Sequence, residues 1–351
     1  MERATPECPN DGLLLRTEAV SVCSTDVSYY KGHLTPEQWP IVPGHEYVGR
    51  VCAVGKELLG RAEEGQIVAY WGQTDFDGLA QYRAIRPIFP GTDGHETNWY
   101  TDRGFVDAHQ AAALILPPTS DPSRMTMIEP LTSVMRAVLT NPPNPGDTVV
   151  VLGAGPIGLL ATQVLVRFFG VADVIVLETD SARRAASLAL GASMAYDPDA
   201  DEWELRKLAT KFSGAVADYV LDTLPHIGPT NSQPDVRAIA MSMLRINGTY
   251  VVFGATSIPQ NIDTWALLSK GLRITAAPFD VRSFPMARTA HVMKAAFNLL
   301  SSNIIDTDLL ISDTVEFFDE RAVRNVFASY GRGGRLKTVI TADGSDHEIL
   351  R

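Results

Sequence analysis

At 351 residues, 45% hydrophobic and 20% charged, the chain is too long for one hydrophobic core and too apolar for a disordered polymer, so two globular domains are expected. A formal net charge of -11 argues against nucleic acid as a partner, because phosphate binding needs clustered Lys and Arg. Apolar runs such as 111–116 fall far short of the roughly 20 residues of a membrane span, the start Met-Glu-Arg-Ala-Thr-Pro-Glu lacks a secretory h-region, and Cys8, Cys23 and Cys52 suggest no disulfide framework; a cytoplasmic protein is expected.

Runs 13–16, 49–54 and 67–70 are β-type stretches punctuated by Gly and Pro, which suits a partly open β-barrel. Residues 71–103 have no sustained period and read as a long surface lobe. From Met125 the character changes: 129–139 has a helical pattern, and Asn141-Pro-Pro-Asn-Pro-Gly146 breaks it. The spacing then predicts a strand at 148–152, an apolar helix at 158–168, a strand at 174–177 and a helix at 182–190. Further strands at 219–221, 250–253 and 272–276 alternate with helical stretches, the pattern of a doubly wound parallel sheet. A helix at 288–300 and short runs to 340 return the chain to its first domain. The expected fold class is α/β, with a nucleotide-binding Rossmann domain at 136–280 and a barrel domain made of 1–135 and 281–351.

Within Val149-Val-Val-Leu-Gly-Ala-Gly-Pro-Ile-Gly158, the residues Gly153, Gly155 and Gly158 form G-x-G-x-x-G between a strand and a helix. With 27 Gly in 351 residues the bare pattern should arise roughly 0.16 times by chance, so the setting supplies the specificity. Gly153 would permit the tight turn, Gly155 would let the backbone approach a pyrophosphate, and Gly158 would let the helix pack on its strand. Pro156 and Ile157 would open that helix, whose free N–H groups face the phosphate. Glu178 ends the second strand, where an acid binds both hydroxyls of the adenosine ribose and repels a 2′-phosphate, favouring NAD over NADP. Arg183 and Arg184 lie close enough in sequence to soften that repulsion. Phe253-Gly254, after a later strand, would line the nicotinamide side.

Three separated segments carry metal-ligand side chains: Cys23-Ser-Thr-Asp26, Gly44-His45-Glu46 and Met127-Ile-Glu-Pro-Leu131. Alone, each has an ordinary reading, since a buried Cys is usually a small hydrophobe, a lone His a hydrogen-bonded core residue and a Glu before Pro a cap. Together, in this order ahead of a dinucleotide fold, they resemble the medium-chain dehydrogenase/reductase family of zinc alcohol, sorbitol and threonine dehydrogenases, over nearly the whole chain. The resemblance implies a GroES-like barrel domain and one catalytic zinc bound by Cys23, His45 and Glu129. Glu46 would lie beside the metal and could enter its coordination. Three protein ligands leave a fourth position for water or an alcohol. Asp26 would orient His45 through its other ring nitrogen. Thr25 matches the family's proton-accepting hydroxyl, with Ser28 or water carrying the proton onward; Ser28 stands where the family often has a His. Relatives with a structural zinc carry four cysteines in the lobe corresponding to 71–103, which here has none, so no structural zinc is expected.

The implied activity is oxidation of a secondary alcohol of a sugar, polyol, aminocyclitol or aminoglycoside to a ketone, with zinc as Lewis acid and NAD as hydride acceptor. The Glu of Glu-Pro-Leu resembles the polyol branch. Segment 23–32, with Ser28, resembles the aminocyclitol dehydrogenases of antibiotic biosynthesis. Acidic net charge, with Asp75, Asp77, Asp93, Glu96, Trp71 and Trp99 in the lobe, would suit an aminated sugar. The family also implies a homodimer or homotetramer. Two other readings stand beside this one: a zinc-free quinone or alkene reductase of the same superfamily, whose members lack the ligand set, and a non-catalytic nucleotide-binding protein, which nothing in the sequence favours.

Overall fold

A computed structural model of the chain describes residues 3–35, 39–72, 76–91, 110–210, 215–224, 235–254, 260–277, 286–332 and 334–342. They divide into two units, Met1–Ser133 with Phe279–Asn303 and Thr307–Arg351, and Val134–Pro278 with Ile304–Asp306. The chain opens with β1 (Leu13–Ser21), α1 (Ser24–Tyr30), β2 (Glu46–Val54), β3 (Ile67–Trp71), β4 (Tyr82–Ile88) and β5 (Gln110–Leu116). Helices α2 (Pro122–Met125) and α3 (Ile128–Thr140) come next. The middle of the chain alternates β6 (Thr148–Leu152), α4 (Pro156–Val164), β7 (Asp173–Leu177), α5 (Ser181–Ala189), β8 (Met194–Tyr196) and α6 (Glu202–Thr210). It continues through β9 (Ala217–Asp222), α7 (Val236–Met243), β10 (Leu244–Val252), α8 (Thr264–Lys270) and β11 (Arg273–Ala276). The last elements are α9 (Met286–Ser301), β12 (Ile311–Glu316), α10 (Glu320–Ser329) and β13 (Lys337–Thr341). No helix among the described residues is long and apolar enough to cross a membrane.

The first unit is a seven-stranded sheet in the order β12-β13-β1-β2-β3-β5-β4, curled so that β1 also pairs with β4. Alternating residues point inward, as a half-buried strand requires: Leu13 and Leu15 meet Val51, Val68 and Ile85 in one core. The predicted strand at 13–16 extends to Ser21 because β1 has neighbours on both sides. Polar Thr17 within it is buried and donates its hydroxyl to the carbonyl of Gly78 at 3.2 Å. The register of the far end of β1 positions the site: Ser21 lies opposite both Glu46 of β2 and Val339 of β13, so three strands meet where Cys23 leaves β1.

The second unit is a six-stranded sheet in the order β11-β10-β9-β6-β7-β8, with every pairing parallel. Numbered within the unit this is 3-2-1-4-5-6 read from β8, the doubly wound order whose direction reverses between β6 and β9. Val149, Val150, Val151 and Leu152 are fully buried, as befits strands covered on both faces. On one face Leu205 of α6, Ile239 and Met243 of α7 and Ala266 of α8 pack on Val150, Ile175 and Val220. The predicted apolar helix at 158–168 starts at Pro156 and turns into a π-helical segment, Leu165–Phe169, closed by Gly170 at φ 67°. Strand β10 begins earlier than expected and ends at Val252, which leaves Phe253 and Gly254 in the turn beyond it.

Candidate functional site

The end of β1 delivers Cys23, and α1 begins on the next residue. Asp26, in the first turn of α1, is buried and serves two segments at once. Its Oδ2 accepts the N–H of Cys23 at 3.0 Å, and its Oδ1 accepts the N–H of Gly44 at 2.8 Å. The same Oδ1 lies 3.3 Å from Nδ1 of His45. This contact fixes the imidazole and leaves Nε2 as the nitrogen available to a metal. Burial alone would raise the Asp26 carboxyl, but the His45 charge and three hydrogen bonds outweigh it and hold it below its ordinary value. Burial likewise works against the imidazolium of His45, yet Asp26 and Cys23 beside it raise its pKa well above the usual range. Gly44, at φ +102°, has Leu79 N 3.0 Å from where a Cβ would stand, so the left-handed backbone before His45, laid against residues 77–79, calls for glycine.

Cys23, His45 and Glu46 each offer a ligand atom within 4.8 Å of the others. Thiolate, imidazole and carboxylate at that spacing suit zinc, so the side chains present fit the metal that the sequence implies. Glu129 is not part of this group. It stands in the first turn of α3, buried, and burial together with the nearby Glu46 charge raises its pKa to about 7. The Ser133 hydroxyl donates to Glu129 Oε1 at 3.2 Å, and Trp71 Nε1 donates to Ser133 Oγ at 2.7 Å. The sequence suggests Trp71 as a stacking face in the lobe; it is instead a core residue of β3, 1% exposed, that orients the Glu129 carboxyl through Ser133.

Sequence reasoning missed the partner of Glu46. Lys337, the first residue of β13, is 2% exposed and donates its ammonium to both oxygens of the fully buried Glu46 carboxylate; Ser21 donates to one of them as well. Burial opposes the ammonium, but Glu46 and then Cys23 raise the Lys337 pKa far beyond that of a free lysine. A lysine opening the β-run Lys-Thr-Val-Ile-Thr was the only signal, and nothing local says where β13 pairs. Phe76 sets its ring edge-on to His45 at 5.8 Å and to Tyr29 at 5.1 Å, an aromatic wall beside the ligand.

Thr25 Oγ1 lies 3.8 Å from Cys23 Sγ. Ser28 donates its hydroxyl to the carbonyl of Ser24 at 2.8 Å, and no hydrogen bond joins it to Thr25 among the described residues. Asp77 pairs with Arg3 at 3.4 Å. Asp75, Asp93, Glu96 and Trp99 lie outside the described residues.

The second unit brings its predicted residues to the sheet's reversal point. Gly153 adopts φ +87°, and a Cβ on Gly158 would stand 2.0 Å from the Gly153 carbonyl oxygen. Beside Gly155 there is nothing within 4 Å of a Cβ, so the backbone is open at the start of α4, which Pro156 and Ile157 begin without a side-chain cap. That free helix end and open backbone fit a pyrophosphate. Glu178 Oε2 accepts the N–H of Ala154 at 2.7 Å and its Oε1 that of Asp180 at 2.9 Å, so the carboxylate is fixed against the glycine loop. The N–H of Arg183 donates to the helix cap Asp180 at 3.0 Å. Phe253 and Gly254 both donate their N–H to the Asp222 carbonyl at 2.9 Å, and a Cβ on Gly254 would meet the Leu224 carbonyl at 1.8 Å.

Residues 9–97 match the family model described as "Alcohol dehydrogenase GroES-like domain", and residues 156–297 match "Zinc-binding dehydrogenase". L-galactonate-5-dehydrogenase of Escherichia coli (strain K12) is 28% identical over 264 residues, 72% of this chain and 72% of that protein. Sorbitol dehydrogenase of Ovis aries is 27% identical over 354 residues, 97% of this chain and 92% of that protein. Among solved structures, galactitol-1-phosphate dehydrogenase from Escherichia coli shares the fold with a TM-score of 0.74 at 18% identity, covering 97% of this chain and 96% of that one. With both family models matched in the order the two units require, the chain belongs to the zinc-dependent alcohol and polyol dehydrogenases of the medium-chain dehydrogenase/reductase family, and is an oxidoreductase acting on alcohols.

Proposed function

We propose that this protein oxidises a secondary hydroxyl of a polyol or sugar to a ketone, with NAD as the acceptor and one zinc per chain. The observation that carries the reading is the convergence of Cys23, His45 and Glu46 within 4.8 Å, two of them braced by the single buried carboxylate of Asp26. Cys23 and His45 would hold the metal with a carboxylate from Glu129 or Glu46. When bound, zinc supplies Lewis acidity that makes an alcohol proton easier to lose, and NAD supplies the two-electron acceptor. Thr25, whose hydroxyl lies 3.8 Å from the Cys23 sulfur, would accept the alcohol proton. Ser28, its own proton given to Ser24, can receive one from water. Lys337 neutralises Glu46, which supports Glu129 as the carboxylate free to bind metal. Gly153, Gly155 and Gly158 would seat the pyrophosphate, Glu178 would bind the ribose hydroxyls and exclude a 2′-phosphate, and Phe253-Gly254 would border the nicotinamide.

The L-galactonate and sorbitol dehydrogenases named above support a polyhydroxylated substrate. The test is metal analysis of protein purified without chelator, paired with absorbance measurement of NAD and NADP reduction on primary alcohols, neutral polyols and aminocyclitols. One zinc per chain and a higher kcat/KM for secondary polyols with NAD are expected. Two zincs, none, or a preference for primary alcohols would overturn the reading; an advantage for amino substituents that salt weakens would narrow the substrate to an aminated sugar.

A further inference from the structure

Six residues after Glu178 stands Arg184, whose charge on the first turn of α5 ought to undo a preference for NAD. Its Nη1 donates to the carbonyl oxygens of Glu178 and Thr179, each at 2.7 Å. The guanidinium therefore rests on the backbone of the very acid that would bind the ribose. It is held there by Asp197, whose Oδ2 lies 3.1 Å from the same nitrogen, both side chains being largely shielded at 22% and 18% exposure. Asp197 comes directly after β8 and is itself anchored by its turn: its Oδ1 accepts the N–H of Asp199 at 3.0 Å, and its own N–H donates to Asp201 Oδ2 at 2.8 Å. A guanidinium so placed has its charge met by a carboxylate and its Nη1 turned to two backbone oxygens.

We propose that Asp197 is a positioning residue for cofactor choice: it holds Arg184 down on the Glu178 and Thr179 carbonyls, so that Glu178 faces the ribose and Arg184 is kept from a 2′-phosphate. The proposal rests on the reading that Glu178 selects NAD. Arg is the residue best suited to bind a phosphate dianion, through charge-assisted paired hydrogen bonds. Two neutral carbonyls retain it less firmly than carbonyls plus a carboxylate, because bonds to charged acceptors are roughly twice as strong. With Asp197 neutralised, the arginine can leave the loop backbone and turn from bystander to phosphate ligand.

The test uses full-length, zinc-loaded protein and reads Kd for NAD and for NADP by fluorescence titration beside kcat/KM. Asp197→Asn keeps the Oδ1 acceptor of the turn and removes the charge. NADP should bind about fivefold tighter, the size of one partly exposed ion pair, with Kd for NAD and kcat little changed. The gain should shrink with salt and vanish in Asp197→Asn/Arg184→Leu. Arg184→Leu alone should leave the ratio of the two Kd values within about twofold, since a neutralised arginine contributes nothing to either. An unmoved ratio in Asp197→Asn, a gain that survives the double substitution, or a loss of NADP binding in Arg184→Leu alone overturns the proposal. A wild-type protein that prefers NADP overturns the Glu178 reading instead, and is visible before any variant is made.

Discussion

The two sites of this protein are built from different materials. The glycine loop is backbone: its shape is set by a left-handed residue at Gly153, by the absence of a Cβ at Gly158, and by open space at Gly155. The metal centre is side chain: Cys23 follows β1, His45 precedes β2 and Glu46 begins it, Glu129 stands in the first turn of α3 and Lys337 opens β13. A backbone site is intolerant of added atoms and indifferent to charge. The side-chain site is the reverse, because each buried ion must be matched by another or by a metal. The Glu46–Lys337 pair and the Asp26–His45 contact are that matching made visible, and the Trp71–Ser133–Glu129 chain adds neutral hydrogen bonds to a third buried carboxyl.

Substitutions in the two regions should therefore fail in different ways. Cys23→Ser, which removes a thiolate ligand, should abolish bound zinc in elemental analysis and lower turnover on the order of a thousandfold, several kcal/mol of lost Lewis acidity; retained zinc would break the assignment of the side-chain site. Lys337→Met leaves Glu46 buried without its counterion. Metal-free protein should lose about 3–5 kcal/mol in denaturant melts, and added zinc should recover part of that loss by taking Glu46 as a ligand. Lys337→Arg should be milder in both. An equal loss with and without zinc would separate Lys337 from the metal centre.

In the backbone site, Gly158→Ala must move the Gly153 carbonyl from 2.0 Å, which should cost about 1–3 kcal/mol of stability and abolish cofactor binding together. Gly155→Ala meets no atom within 4 Å; its melting curve should stay within about 0.5 kcal/mol of wild type, while calorimetric titration shows weakened NAD binding. A Gly155→Ala variant with unimpaired affinity would mean that the pyrophosphate does not lie there. Trp71→Phe removes one buried donor and the pyrrole part of the indole. It should cost about 2–3 kcal/mol, a lost hydrogen bond plus a small cavity, and weaken zinc by up to about tenfold in chelator competition, the latter only if Glu129 is a ligand.

Legibility in the sequence divides along the same line. The glycine loop is local: strand, turn and helix lie within residues 148–164, their periods are regular, and a glycine's freedom is a property of the residue itself, so the loop, Glu178 and the parallel sheet can be read from the residues alone. The candidate metal ligands are legible as residue types in a familiar order, because each motif is short. How they meet is settled by long-range packing. Whether Glu46 or Glu129 stands nearer Cys23 and His45 depends on the register of β1 against β2 and on where α3 packs, which no local pattern encodes. Trp71 reads as a surface aromatic because its run ends in a loop, yet its indole is buried with its Nε1 bonded to Ser133 of α3, a contact between distant segments. Lys337 lies more than 290 residues from Glu46. A buried ion pair of that separation exists only once β13 has zipped against β1, and the free energy that joins its members is a property of the closed barrel rather than of either segment.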